Sequence, residues 1–372
     1  MLTRVLTNIQ NTMSTSSEIL QLTKSLISIP STKENSEALH EVVDRALQEL
    51  DGFTIERFEK NNVPSALVYA SPKRPKQFDL MLNAHLDVVP AKDEQYVPYI
   101  TEGKLYGRGA YDMKTAAAIF ILLFKQYARS LPYHLGLQLV ADEEVGGFNG
   151  TKHQVEQGVR SSFTIAGEMT DYMIKHMAKG IYWLKLHITG ESAHGAYPWL
   201  GVNAVEKMNG VITRLYQTYP IPQAEVWKTT ANVASVSTGN STFNKVPDEC
   251  TAMVDVRYIP EDKQKILNTF QELCGLDATV EVVVNEPSHH TPHDHKAVAL
   301  LKHIAQKSIP NGGHLRFAHG ASDLRHFNAL GMDGVEFGPV GSGMHTDHEY
   351  VEIESIKPYT NILNEYLHQY QP

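Results

Sequence analysis

Leu82-Asn83-Ala84-His85-Leu86-Asp87-Val88-Val89-Pro90 begins as an apolar strand, continues into a His-x-Asp pair and ends at a proline. Because side chains alternate along a strand, His85 and Asp87 lie on the same side of its end. In α/β sheets, ligands bind outside the carboxyl ends of the strands. A carboxylate beside an imidazole can orient it and raise its basicity as a metal ligand. The motif therefore indicates a ligand site, although a hydrogen-bonded pair that ends the strand explains it equally well.

Around this stretch, helical and strand-like patterns alternate. Apolar residues at helical spacing predict helices over residues 17–29, 35–50 and 113–127. Short apolar runs predict strands over residues 53–59, 66–70, 80–84, 135–141 and 163–166. Strands that alternate with helices predict an α/β sheet with helices on both faces.

The middle of the chain follows a different order. Strand, helix, strand, strand, helix and strand are predicted over residues 181–189, 201–216, 226–237, 248–258, 261–274 and 278–284. This order is typical of a small ferredoxin-like α+β domain. We therefore predict that residues 178–292 are an insertion and that residues 1–177 and 293–372 form one discontinuous domain. One large sheet that carries the middle strands as extensions is the alternative.

The composition excludes several classes of protein. The chain has 372 residues, 42% of them hydrophobic, which is enough for a sizeable core, and a net charge of −9. This charge argues against nucleic-acid binding, and no apolar run approaches the ~18 residues of a membrane helix. Residues 1–12 lack the apolar core of a signal peptide, and Met13 is an alternative start. Only Cys250 and Cys274 are present, which favours reduced thiols and a cytoplasmic location.

Two further loops carry carboxylates. Gly107-Arg108-Gly109-Ala110-Tyr111-Asp112 is a glycine loop before a predicted helix, where Asp112 is either a helix cap or a ligand. Asp142-Glu143-Glu144 directly follows a predicted strand, and three adjacent carboxylates are costly in one pocket unless a cation neutralises them. A solvated turn is the simpler explanation of this acidic run.

Glu168 ends another apolar strand, and His345 lies in the glycine-rich stretch Gly341-Ser342-Gly343-Met344-His345. With His85, Asp112 and Glu144, these residues occupy strand ends or loops that could share one rim. Two imidazoles and three carboxylates suit a pair of zinc ions that share one carboxylate and keep open positions for water and substrate.

Four motifs, in this order, resemble the acetylornithine deacetylase / succinyl-diaminopimelate desuccinylase family of dinuclear zinc amidohydrolases and metallopeptidases. They are His-x-Asp-Val-Val-Pro, Gly-Arg-Gly-x-x-Asp-Met-Lys, Asp-Glu-Glu and a late His-x-x-x-Glu-Tyr, and the similarity extends from about Glu18 to Leu367. The resemblance implies an α/β, zinc-peptidase-like catalytic domain with a central mixed sheet flanked by helices. It also implies that the ferredoxin-like insertion is a lid that forms homodimer contacts.

By this resemblance, each subunit holds two zinc ions, which cobalt can replace, and Asp112 bridges them. His85 and Glu168 complete one site, and Glu144 and His345 complete the other. The peptide bond after Asp112 is expected to be cis.

The resemblance also implies roles outside the metal ligands. Asp87 orients His85, and Glu143 is the general base. His194, in Gly190-Glu191-Ser192-Ala193-His194-Gly195-Ala196-Tyr197-Pro198, reaches the partner subunit's active site and stabilises the oxyanion, while Asn244 and Arg257 hold the substrate.

The expected reaction is metal-dependent hydrolysis of a small N-acyl amino acid to a carboxylic acid and a free amine. The alternatives are a carboxypeptidase or dipeptidase, a succinyl-diaminopimelate desuccinylase, or, from another class, a non-catalytic metal-binding protein. In the desuccinylases an Arg, a Thr and an Asn contact the additional carboxylates of the substrate. The aligned residues here are Ala178, Ala321 and Gly341, which favours a simple acyl group, although Lys179 could replace the Arg.

Other histidines are alternative candidates for metal ligands. Ser288-His289-His290-Thr291-Pro292-His293-Asp294-His295 is the densest cluster, but Pro292 interrupts it and no family ligand aligns there, so we predict a solvated hinge loop. His348 competes with His345 as a ligand, and the spacing to Glu349-Tyr350 favours His345.

Overall fold

The structure is a computed structural model that describes residues 16–275 and 278–372, so the alternative start at Met13 lies outside the described residues. It contains two compact units. The first runs up to His176 and resumes over Thr291–Arg316 and Ser322–Pro372, and the second comprises Met177–His290 and Phe317–Ala321. Among the described residues, no helix combines the length and the apolar character needed to cross a membrane.

The strands, numbered along the chain, are β1 Thr54–Lys60, β2 Val63–Tyr69, β3 Phe78–His85, β4 Tyr99–Thr101, β5 Lys104–Tyr106, β6 Leu135–Val140, β7 Ser161–Ala166, β8 Ile174–Ala178, β9 Gly180–Thr189, β10 Thr230–Ser237, β11 Glu249–Tyr258, β12 Ala278–Glu286, β13 His289–His290, β14 Leu315–Ala318, β15 Asp333–Glu336, β16 Gly341–Ser342 and β17 Tyr350–Glu352. The helices are α1 over residues 16–27, α2 Ser36–Leu47, α3 Thr115–Tyr127, α4 Thr151–Glu156, α5 Ala204–Thr218, α6 Ile266–Cys274, α7 Lys296–Ser308, α8 Leu324–Asn328 and α9 Ile353–Gln369.

A mixed sheet in the order β1-β2-β6-β3-β7-β15-β8 crosses the first unit. Alternate side chains of β2 enter two different cores. Ala66 and Val68 pack with α2, α3 and α9, whereas Leu67 and Tyr69 pack with residues that include Val155 of α4 and Phe327 of α8. Both faces of the sheet are therefore covered, and the predicted α/β class, with a central mixed sheet flanked by helices, is confirmed.

The parallel strands of this sheet end at a common edge. β3 pairs in parallel with β6 and with β7, and His85 at the end of β3 is level with Val140 at the end of β6. Residues that directly follow β6 and β7 must then emerge beside His85. This register brings the acidic run after β6 and Glu168 after β7 to the same rim.

A small second sheet in the first unit, in the order β16-β17-β5-β4, was not predicted. Its strands are two or three residues long, which is too short for an alternating pattern to be visible in the sequence. Tyr350 of β17 pairs with Tyr106 of β5. This pairing brings the glycine loop that follows β5 next to the segment that contains His345.

The second unit has an antiparallel sheet in the order β10-β11-β9-β12, with α5 and α6 packed on it. Its connectivity is the strand and helix order predicted for a ferredoxin-like domain. No sequence pattern predicted that Phe317–Ala321 belongs to this unit. There, the Phe317 ring lies 4.9 Å from that of Trp227, and His319 Nε2 lies 3.3 Å from Glu225 Oε1.

Candidate metal centre

The first group of potential ligands consists of His85, Asp112 and Glu168, all of them buried. His85 Nε2 lies 3.0 Å from Asp112 Oδ1 and 4.0 Å from Glu168 Oε2. Burial alone would lower the pKa of His85, but hydrogen bonds to Asp112 and Asp87 raise it well above its ordinary value. Three donor atoms thus converge from a strand end and two loops.

The second group consists of Asp112, Glu144 and His345. His345 Nε2 lies 3.2 Å from Asp112 Oδ2 and 3.1 Å from Glu144 Oε2. Hydrogen bonds to these two carboxylates raise the pKa of His345 to about 10. Asp112 belongs to both groups and turns a different carboxylate oxygen to each imidazole. The side chain of His345 is 42% exposed, so this part of the centre faces solvent.

The donor set fits a pair of divalent cations. Glu168 Oε1 is buried and has no hydrogen-bond partner among the described residues, and leaving a buried acceptor unpaired costs about 1–3 kcal/mol. Burial raises the pKa of Glu168 well above its ordinary value, and the nearby charge of Asp112 adds to this effect. Imidazole nitrogens and carboxylate oxygens are ligands that zinc accepts in catalytic sites. A bound cation would neutralise the carboxylates and give Glu168 Oε1 a partner.

Asp87 is connected to the centre in two ways. Its backbone carbonyl accepts a hydrogen bond from His85 Nδ1 at 3.0 Å, which leaves Nε2 of His85 facing Asp112. Its carboxylate lies farther from Nδ1, at 3.6 Å, and accepts hydrogen bonds from the backbone N–H groups of Glu143 and Glu144 at 3.2 and 3.0 Å. The shortest contact of Asp87 with His85 is thus made by its main chain, while its side chain holds the acidic loop.

Glu143 belongs to neither group of potential ligands. Burial raises its pKa well above the ordinary value, and the charge of Glu168 raises it further. A carboxyl group whose pKa is raised by its surroundings suits proton transfer in both directions. The position of Glu143 beside the two groups is therefore compatible with a general base.

Sequence reasoning missed the residues that hold the Asp112 loop. The carboxylate of Glu349 is buried, pairs with Arg108 Nη1 at 2.7 Å, and accepts hydrogen bonds from the backbone N–H groups of Tyr111 and Asp112 at 3.0 and 3.1 Å. The Asp112–Met113 peptide bond is cis, as predicted. Arg108 and Glu349 lie in the Gly-Arg-Gly and Glu-Tyr motifs, but nothing in the sequence indicated that their charges pair.

The predicted residues of the insertion lie in the second unit. His194 is exposed in the loop between β9 and α5, and its main chain forms an isolated bridge with Lys245. The N–H of Gly195 donates to the carbonyl of Asn244 at 2.6 Å, so His194 and Asn244 lie on adjoining loops. Arg257 lies on β11, where its Nε donates to Asp255 Oδ1 at 2.9 Å.

The other histidines considered as metal ligands lie outside the two groups of potential ligands among the described residues. His289 and His290 form the short strand β13 instead of the predicted solvated loop, and His289 is buried. The prediction failed because neither alternation nor burial is visible in a two-residue strand. His348 is exposed and belongs to neither group of potential ligands among the described residues.

The chain is similar to known proteins in both sequence and fold. Residues 81–369 match the family described as Peptidase family M20/M25/M40. The succinyl-diaminopimelate desuccinylase of Polynucleobacter necessarius subsp. necessarius (strain STIR1) is 30% identical over 314 residues, which cover 78% of this chain and 82% of that protein. Two solved structures share the fold: aminopeptidase PepT from Bacillus cereus ATCC 10987 (TM-score 0.77, 19% identity, 95% and 98% coverage) and YXEP from Bacillus subtilis, a dinuclear metal-binding peptidase of the M20 family (0.73, 14%, 95% and 98%).

Proposed function

Because this chain belongs to peptidase family M20/M25/M40, and is thus a metal-dependent hydrolase of amide bonds, we propose that its substrate is an N-acyl amino acid. The products are a carboxylic acid and a free amine. The observation that supports this proposal most strongly is the pair of ligand groups that share Asp112, with Glu143 beside them.

The curated relatives favour an acyl group over a second amino acid as the part that is removed. Desuccinylases are 27–30% identical to this chain, and the share of the chain that they cover is 76–95%. Solved peptidases that cover it equally well are less than 25% identical, so they inform about the fold alone. A dipeptidase or carboxypeptidase is therefore the second choice.

The residues at three family positions favour a simple, uncharged acyl group. Ala178, Ala321 and Gly341 stand where the desuccinylases, by the resemblance described above, use polar side chains. A side chain at position 341 would also collide with the ring of Tyr111, whose Cδ2 lies 2.5 Å from the place of a Cβ atom. Succinyl-diaminopimelate remains the named substrate of the relatives, and we propose an acetylated or similarly acylated amino acid in its place.

We assign His85, Asp112 and Glu168 to one zinc ion and Asp112, Glu144 and His345 to a second, and cobalt should substitute for either. When bound, zinc polarises a carbonyl oxygen and lowers the pKa of a coordinated water from 15.7 to about 7. Glu143 takes a proton from the attacking water and delivers it to the leaving nitrogen as the C–N bond breaks.

We propose the remaining roles for three residues of the predicted insertion, following the family resemblance. His194 donates a hydrogen bond to the carbonyl oxygen as negative charge develops on it, and it comes from the partner in a homodimer. Asn244 and Arg257 hold the substrate. We place the enzyme in the cytoplasm, because Cys250 and Cys274 are both buried and not disulfide-bonded.

The substrate is tested with metal-free protein to which zinc or cobalt is restored. Amine release is then measured on N-acetyl amino acids, N-succinyl-diaminopimelate and dipeptides. We expect the highest kcat/KM for an N-acetyl amino acid, and Glu143→Gln serves as the inactive control. A higher value for the succinylated substrate or for dipeptides would assign the corresponding alternative, and no hydrolysis by the metal-loaded protein would overturn the proposal.

A further inference from the structure

Three chain segments that carry proposed metal ligands meet at the carboxylate of Asp171. Asp171 follows Glu168 in the turn after β7, and its Oδ1 accepts two hydrogen bonds from other segments. One comes from the hydroxyl of Tyr111 at 2.7 Å, and the other from the backbone N–H of Gly341 at 3.2 Å. Tyr111 directly precedes Asp112, and Gly341 begins the strand that leads to His345. One carboxylate oxygen therefore joins the Glu168, Asp112 and His345 segments.

The turn that contains Asp171 is itself fixed. Asp171 and Tyr172 have φ values of 51° and 63°, in the left-handed region that few non-glycine residues adopt. The N–H of Tyr172 donates to the carbonyl of Gly338 at 3.0 Å, and the N–H of Gly338 donates to Thr170 Oγ1 at 2.8 Å. These contacts secure the turn to the chain that continues into β16.

Tyr111 is equally constrained. Its side chain is buried, and its ring lies where a Cβ atom on Gly341 would be, 2.5 Å from Cδ2. The Tyr111 hydroxyl donates to Asp171 Oδ1 at 2.7 Å and thus joins the buried ring to the turn. A hydroxyl that donates to an ionised carboxylate forms one of the stronger protein hydrogen bonds.

We propose that Asp171 and Tyr111 are positioning residues that hold the Glu168, Asp112 and His345 segments at the spacing that a metal pair requires. The inference rests on the metal ligands proposed above. Glu349 also joins the Asp112 and His345 segments, and Asp171 adds the Glu168 segment. Neither Asp171 nor Tyr111 contacts the reacting atoms in this role, so its first effect is on the affinity for metal.

Tyr111→Phe is the decisive variant, because it removes one hydroxyl and keeps the ring against Gly341. Tyr172→Phe is the matched control: it removes the neighbouring hydroxyl, which donates to the carbonyl of Ser355 at 2.9 Å and so joins the turn to α9, a helix that carries no proposed ligand. The stepwise zinc dissociation constants are measured by competition with a chelating dye. We expect Tyr111→Phe to weaken at least one of them about tenfold, within the range typical of groups that orient metal ligands. Tyr172→Phe should leave both constants unchanged.

Two variants of Asp171 separate positioning from general loosening. Asp171→Asn keeps an oxygen that can accept both hydrogen bonds, so it should retain most of the zinc affinity. Asp171→Ala should lose at least as much affinity as Tyr111→Phe. The melting temperature of each metal-free variant shows whether it folds.

Failure of this inference is distinguishable from failure of the proposed function. Wild-type protein that takes up no pair of zinc ions would contradict the proposed ligands themselves. If the wild type binds two ions and Tyr111→Phe and Asp171→Ala bind them equally well, the positioning role is wrong. It is also wrong if these variants only lower the metal-free melting temperature, or if Tyr172→Phe weakens zinc binding as much as Tyr111→Phe.

Discussion

Glu143 and Glu144 are neighbours in the sequence with different surroundings. Glu144 lies 3.1 Å from His345 and belongs to a group of potential ligands, whereas Glu143 does not. Burial and the charge of Glu168 raise the pKa of Glu143 well above the ordinary value of a glutamate. Adjacent carboxylates placed in such different environments suit a division into one ligand and one proton carrier.

The substitution Glu143→Ala tests this division at the scale of one residue. We expect kcat to fall about 10²- to 10⁴-fold, because a general base is lost, while the metal content stays near that of the wild type. Elemental analysis and steady-state kinetics measure both quantities. Glu144→Ala is the comparison, since it should release metal from its site. Loss of both ions from Glu143→Ala would remove Glu143 from its proposed role.

At the scale of the element, the loop after β6 is fixed from two sides. The carboxylate of Asp87 binds the N–H groups of Glu143 and Glu144, and the carbonyl of Gly146 accepts hydrogen bonds from Arg325 Nη2 at 2.6 Å and His326 Nε2 at 2.9 Å. Burial lowers the pKa of His326 to about 3, so its imidazole is neutral at pH 7.

Close packing explains why a glycine stands at position 147 of this loop. Gly147 has a φ of 62°, and a Cβ atom there would lie within 1.9 Å of Asp323 Oδ1. A residue with a side chain would therefore require both a left-handed backbone and movement of Asp323. The acidic run is thus a loop held by hydrogen bonds and close packing, and the solvated turn considered from the sequence does not describe it.

The side chain of Asp87 can be tested separately from its main chain. Asp87→Ala keeps the backbone carbonyl that orients His85 and removes the acceptor of the Glu143 and Glu144 N–H groups. We expect kcat to fall about 10- to 100-fold and zinc to dissociate more readily. Asp79→Ala is the matched control, because its carboxylate accepts from the N–H of His134 at the other end of β3. Equal effects of the two substitutions would show that Asp87 acts only on the stability of the strand.

Elements of different length were predictable to different degrees. The predicted strand over residues 135–141 and helix over 113–127 correspond to β6 and α3, because apolar runs of such lengths are visible in the sequence. β5 and β17 have three residues each and were missed, although their pairing brings the Asp112 and His345 segments together.

At the scale of the whole molecule, the shared rim was predictable from the sequence, but the hydrogen bonds that join its segments were not. Parallel strands that end in His85, in the acidic run and in Glu168 must present these residues at one edge, whatever the details of packing. The contacts of Glu349 and Asp171 join segments that are distant in the sequence, and each depends on where loops settle after the sheet has formed. No local pattern encodes such contacts.

His194 raises the question of how many chains build one site. It lies in the second unit on an exposed loop, close in sequence to Trp199, which is 73% exposed, while Phe243 on the adjoining loop is fully exposed. Large apolar side chains in such positions are typical of surfaces that contact another protein. In a symmetric dimer each subunit would offer the same loop to its partner.

If the partner supplies His194, two inactive variants should restore each other. His194→Ala should bind metal normally and lose about 10²- to 10³-fold in kcat, the usual cost of one oxyanion donor. When it is mixed with Glu143→Ala and the subunits exchange, one site of each mixed dimer combines an intact Glu143 with the partner's intact His194. Activity should therefore rise well above that of either variant alone. Subunit exchange without any recovery of activity would mean that His194 acts within its own chain or has no part in the reaction.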